Sequence, residues 1–254
     1  MFVACSTLCF SKLPLADALR RIAELEFNKV DVAIHEQGTQ LKPTEVAADV
    51  ARVAQLLKLG SGLMPAAFSV EIATTDRAEY GRLLQAICRL ARLTTAPLVS
   101  IPAASAGTGL DAEVPRLSEL VRLAESEGIL LTVETRRGTI TETPAAAVEL
   151  CERVKGLGLT LDPSHYLTGP HQGKNFDLVY PWVRHVRLRD SGRGPDQFQV
   201  RIGQGEIEYG RIVTQLQRFQ YDRVLTVDIR DTPEPPFPVE PEVRKLKYLL
   251  ESLV

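Results

Sequence analysis

Four stretches in the second half decide the fold: residues 129–138 (ILLTVETRRG), 158–169 (GLTLDPSHYLTG), 183–192 (VRHVRLRDSG) and 223–229 (RVLTVDI). Each carries a short apolar or β-branched run that ends polar, apolar, charged: Thr132-Val133-Glu134, Thr160-Leu161-Asp162, His185-Val186-Arg187 and Thr226-Val227-Asp228. Strand side chains alternate between faces, so each middle residue points one way and its flanking pair the other. Segments of helical period separate the strands at residues 143–155 and 209–219, a weaker one at 175–182, and a last one at 241–253 closes the chain. Upstream the rhythm repeats, with strands at 2–8, 29–34, 63–70 and 98–101 and helices at 15–27, 44–57, 76–93 and 111–127. Eight strand–helix units in strict alternation predict parallel strands with right-handed crossovers, a (β/α)8 TIM barrel in a single domain over 1–254.

In that barrel the flanking residues of the triplets face inward. They form two layers: Glu134, Asp162, Arg187 and Asp228 near the mouth, with Thr132, Thr160, His185 and Thr226 below. Two stretches interrupt the alternation, at 166–173 and 190–208, and both follow strand ends, which places them on the C-terminal face where barrels build active sites. The proline-rich run TPEPPFPVEP at 232–241 is a rigid spacer before the last helix. Like charges held close raise one another's pKa and cost stability unless something compensates, so three carboxylates converging with an arginine and a histidine point to a functional site.

Composition narrows the classes. The formal net charge of −2 gives no basic field for nucleic acid or an anionic membrane surface. The start, MFVACSTLCF, lacks a signal-peptide pattern and no run reaches the roughly 18 apolar residues of a membrane span, so the expected location is cytoplasmic. Cys5, Cys9, Cys88 and Cys151 lack C-x-x-C spacing and read as reduced, packed thiols.

The stretches LTVETRRG, LTLDPSHYLTG, VRHVRLRDSG, GQGEIEYG and RVLTVDI resemble, in order and strand placement, the xylose isomerase-like barrels, which include sugar epimerases, hydroxypyruvate isomerases, inosose dehydratases and apurinic-site endonucleases. The resemblance implies one divalent metal (Mn, Mg, Co or Zn) held by a Glu, an Asp, a His and a Glu on strands five to eight, with the first and last carboxylates shuttling protons. It places Glu134 and Asp162 at two ligand positions and His165, in the D-x-x-H pattern, against substrate or metal. It departs at strand seven, where Arg187 holds the position of the liganding His, and at strand eight, where Asp228 replaces Glu. Arginine has no lone pair for a metal. His185 lies one layer deeper than the missing ligand. The resemblance therefore implies Glu134 and Asp228 as the acid/base pair, Glu134, Asp162 and Asp228 as the remaining metal ligands, and a site that is either altered or metal-free.

The expected ligand is a small sugar or sugar acid, with an anionic one favoured by Arg187 and Arg189 on one inward face; His165, His185 and His35, just after strand two, complete the expected contacts. Gly203-Gln204-Gly205 is a weak phosphate-loop pattern. The leading expectation is an isomerase or epimerase working by proton transfer next to a carbonyl. A dehydratase of the same family, and a metal-free barrel that binds a sugar metabolite without turnover, are the alternatives. A nucleic-acid substrate would need more metal-binding histidines than the four in this chain. A homodimer fits the family habit.

Overall fold

The structure is a computed structural model that describes residues 1–59, 62–172, 174–194 and 196–254. Eight parallel strands close on themselves in sequence order: β1 (Phe2–Ser6), β2 (Lys29–His35), β3 (Met64–Glu71), β4 (Leu98–Pro102), β5 (Leu130–Glu134), β6 (Gly158–Leu161), β7 (Val183–Leu188) and β8 (Val224–Val227), with β8 pairing back onto β1. The expected barrel is therefore the observed one. Around it lie α1 (Leu15–Glu24), α2 (Pro43–Ala48), α3 (Val50–Leu59), α4 (Arg77–Leu93), α5 (Leu110–Ser126), α6 (Pro144–Arg153), α7 (Pro163–Thr168), α8 (Tyr209–Arg218) and α9 (Val239–Glu251). Among the described residues, none of these is long and apolar enough to cross a membrane.

The helices form for local reasons and pack by periodicity. In α1 the residues Leu15, Ala18, Leu19 and Ile22 are buried, and in α8 Tyr209, Ile212, Val213 and Leu216, both the i, i+3, i+4, i+7 stripe of a helix lying on a sheet. Asp76 caps α4 by accepting from the Glu79 amide at 2.9 Å. The strand residues facing these stripes are the middle members of the four triplets: Val133, Leu161, Val186 and Val227 all sit in the one large apolar cluster. All four cysteines are buried and unpaired.

Three elements differ from expectation. The helix expected at 44–57 is two helices, because Asp49 leaves helical backbone (φ −156°, ψ 84°) and its carboxylate accepts from the Arg52 amide at 2.9 Å to restart the chain as α3. The weakly helical 175–182 is a 3₁₀ turn, Asp177–Trp182, with Pro181 inside it. Where an irregular loop was expected after β6, the chain forms α7, because Asp162 accepts from the Ser164 amide at 3.1 Å and Pro163 fits a first helical turn. Gly173 and Pro195, in the two loops expected to build the catalytic face, lie outside the described residues.

Candidate active site at the barrel mouth

The lower inward layer is a hydrogen-bonded chain across three strand pairs. Thr132 Oγ1 lies 2.7 Å from Thr160 Oγ1, Thr160 Oγ1 3.4 Å from His185 Nδ1, and His185 Nε2 2.9 Å from Thr226 Oγ1. Burial pushes the His185 pKa down to about 3, so its imidazole is neutral. It lies below the mouth, with 1% of its surface exposed and Nε2 3.6 Å from Asp31 Oδ2 in the layer above.

That upper layer is a lattice of carboxylates and guanidiniums. Arg187 donates from Nε (3.1 Å) and Nη2 (2.8 Å) to Asp31 Oδ2 and from Nη1 to Glu134 Oε1 (3.2 Å). Arg189 donates from Nε to the Asp228 carbonyl (2.9 Å) and from Nη1 to Ser164 Oγ (3.0 Å). It also pairs through Nη2 with the Asp228 carboxylate and through Nη1 with Asp162 Oδ2 at 2.9 Å, the last without hydrogen-bond alignment. Both arginines are 2% exposed or less, and so are Asp31, Asp162 and Asp228, which leaves Glu134 at 4% and His165 at 8% as the buried members nearest solvent. Burial would raise the Glu134 pKa, but the charges of Arg187 and Arg230 outweigh it and bring it down to about 2. Burial likewise opposes ionisation of Asp228, yet Arg189, Arg230 and Arg187 together lower its pKa. For Asp31 burial wins, and its pKa rises to about 6 in spite of Arg187.

At the rim, Arg136 Nη1 is 2.6 Å from Glu71 Oε1 and 3.8 Å from Glu134 Oε2. Arg230 places Nη2 4.0 Å from Glu134 Oε1 and Nε 3.6 Å from Asp228 Oδ2. The Phe198 ring lies 4.7 Å from the Arg189 guanidinium and 4.7 Å from the His165 ring. Gln199 beside it clamps the strand-eight end, its amide donating to the Arg230 carbonyl (3.0 Å) and accepting from the Arg230 amide (2.7 Å). His35, on the β2–β3 side, has Nε2 3.4 Å from Ser69 Oγ, and burial lowers its pKa to about 4.

The residues expected from sequence thus converge, with Glu134, Asp162, His165, Arg187, Arg189 and Asp228 in one lattice. Asp31, Arg230, Phe198 and Gln199 were not anticipated. Asp31 had a signal: in Lys29-Val30-Asp31-Val32 the valines face the helices, which forces the carboxylate inward. Arg230 continues the inward series 226, 228, 230. The Gly203-Gln204-Gly205 amides do not await a phosphate, since those of Gly203 and Gly205 donate to Asp190 Oδ2 at 2.7 and 3.1 Å. A Cβ on Gly205 would also stand 2.0 Å from Asp190 Oδ1, and Gly203 has φ +88°.

Among the described residues the group able to approach a metal is Glu134, Asp162 and His165, whose donor atoms lie within 4.8 Å of one another; Asp228 is outside it, drawn to Arg189. The chemistry of the group does not fit a resident ion. A metal-binding histidine normally donates its second ring N–H. Here Nδ1 of His165 accepts from the Arg137 amide at 3.3 Å, which leaves the proton of the neutral ring on Nε2, the atom facing Asp162. Both carboxylates are already paired with guanidiniums, Glu134 with Arg187 and Asp162 with Arg189.

Comparison with known proteins agrees with this architecture. Residues 19–249 match the xylose isomerase-like TIM barrel family, and the chain belongs to it. An uncharacterized protein from Methanocaldococcus jannaschii is 29% identical over 133 residues, 48% of this chain and 45% of that protein, so the match spans less than half the relative. Among solved structures the chain is similar to the IOLI protein with a bound zinc atom (TM-score 0.77, 16% identity, 100% and 99% of the two chains covered). It is also similar to the probable 3-DHS dehydratase AsbF from Bacillus anthracis (0.75, 16%, 99% and 99%) and to the 3-keto-D-glucoside 4-epimerase from E. coli (0.72, 14%, 99% and 99%).

Proposed function

We propose that this protein is a metal-independent isomerase of a small sugar-type substrate, moving a proton next to a carbonyl with Glu134 as the base and fixed guanidinium charge where relatives hold a cation. The observation that carries the reading is the Arg187 guanidinium, pinned by Asp31 through two nitrogens and set 3.2 Å from Glu134. The buried guanidinium does not contact the substrate; its positive charge acts through space on an oxyanion that develops beside Glu134. Glu134 removes the proton from the hydroxyl-bearing carbon, the electron pair forms a C=C bond, and the carbonyl oxygen becomes the enolate oxygen. The hydroxyl proton passes to that oxygen, Glu134 returns its proton to the former carbonyl carbon, and the carbonyl reappears one position along.

A single base suits this same-face transfer. Epimerisation through opposite faces needs a second exposed acid, and the expected partner, Asp228, is fully buried and held by Arg189. The test is incorporation of solvent deuterium next to the carbonyl, read by NMR across a panel of ketoses in the presence of a chelator. Wild type is expected to exchange and Glu134→Gln to be silent; exchange only after metal loading, or exchange that survives Glu134→Gln, would overturn the reading. A second reading, binding without turnover, draws on the same burial of Asp228 and is distinguished by a ligand that raises Tm but never exchanges.

A further inference from the structure

We infer that Arg230 is the group that grips the substrate, and that it does so through a neutral pair of adjacent oxygens, those of an α-hydroxycarbonyl compound. The inference rests on the proton-transfer reading above and deepens it. Arg187 and Arg189 cannot reach a ligand, because each is sealed and each has Nε and both Nη atoms committed to Asp31, Glu134, Asp162, Ser164 or Asp228. Arg230 is different. Its side chain is 30% exposed, and the carboxylate oxygens it pairs with, Asp228 Oδ2 at 3.6 Å and Glu134 Oε1 at 4.0 Å, are beyond hydrogen-bond reach. Its buried Nε–H has no hydrogen-bond partner among the described residues. A buried donor left unmet is costly and is ordinarily satisfied by something.

The position of Arg230 fits that ligand. The guanidinium lies between Glu134 and Asp228, where a carbon losing its proton to Glu134 would have its oxygens, and Gln199 fixes its backbone from both sides. A guanidinium presents parallel N–H donors in a planar fork, which matches two oxygens on adjacent planar carbons. Charge balance selects a neutral ligand over a phosphate. Asp31, Glu134, Asp162 and Asp228 are offset by the buried Arg187 and Arg189 together with the rim Arg230 and Arg136, and Glu71 adds a further carboxylate on Arg136. A dianion would enter a site with no surplus of positive charge.

The experiment is calorimetric titration of the purified protein with D-fructose, dihydroxyacetone, gluconate and inorganic phosphate, in chelator, for wild type, Arg230→Ala and Arg230→Lys, with deuterium exchange measured alongside. A ketose is expected to bind wild type, and Arg230→Ala to weaken it by about tenfold or more while the protein remains folded by circular dichroism. Arg230→Lys is expected to recover only part of the affinity, and added guanidinium ion to restore binding to Arg230→Ala, a rescue that a merely structural role would not show. Equal affinity in Arg230→Ala overturns the inference. Preference for phosphate or gluconate, or no ketose binding to wild type, overturns the ligand class. Ketose binding that depends on Arg230 without any exchange removes the isomerase reading and leaves Arg230 as the binding residue; exchange undiminished in Arg230→Ala does the reverse.

Discussion

The two halves of this barrel are built from the same strand–helix unit but are filled differently. From β5 to β8 the inward positions carry Glu134, Asp162, Arg187, Arg189 and Asp228; from β1 to β4 they carry Ser6, Ala33, Ala67, Ser69 and Ser100, with Asp31 the buried exception. The first half fills its inward positions mostly with small side chains and the second half with charged ones. Asp31 joins them, reaching Arg187 from a strand 156 residues away in sequence. Without it the Arg187 guanidinium would keep Glu134 as its one hydrogen-bonded carboxylate.

Breaking that joint should have the largest effect. Asp31→Ala strands a buried guanidinium and is expected to cost about 3–5 kcal/mol, whereas Ser100→Ala on the small side should stay within about 1 kcal/mol, both read from urea unfolding. Equal costs would mean that the two sides do not differ energetically. Next in size is a change of chemistry: Arg187→His restores an imidazole to the strand-seven position and frees Glu134, so the variant should acquire Zn or Mn detectable by elemental mass spectrometry, while wild type should hold none at stoichiometry. A wild type that carries tightly bound metal would sink the metal-independent mechanism.

The pH response tests the layer beneath. The native pKa of His185 is lowered to about 3 and that of His35 to about 4 from 6.5, so the unfolded chain takes up protons that the native chain refuses, and stability is lost as pH falls below 6.5. Asp31 acts in the opposite sense: raised from 3.8 to about 6, it keeps a proton the unfolded chain releases, so its contribution declines as pH rises through that window. Unfolding midpoints at pH 7 and pH 5 should therefore fall less steeply with acid in His185→Gln than in wild type. Gln199→Ala is expected to cost about 0.5–1.5 kcal/mol per lost hydrogen bond, with ligand affinity falling because Arg230 loses its clamp.

The sequence by itself determined the barrel and most of what lines it. Period 2 in the strands and 3.6 in the helices fix which face each residue takes, and that was enough to set Glu134, Asp162, Arg187 and Asp228 inside and Val133, Leu161, Val186 and Val227 outside. It also carried Arg187 and Asp228, the two positions at which the resemblance implies a departure from the family pattern. Only the tertiary structure decided who pairs with whom. Alternation gives a direction but not a partner, and barrel closure, not proximity in sequence, brings Asp31 against Arg187 and Arg189 between Asp162 and Asp228. The same closure sealed two arginines and left Arg230 with donors to spare, a distinction of burial that the run Thr226-Val227-Asp228-Ile229-Arg230 does not contain.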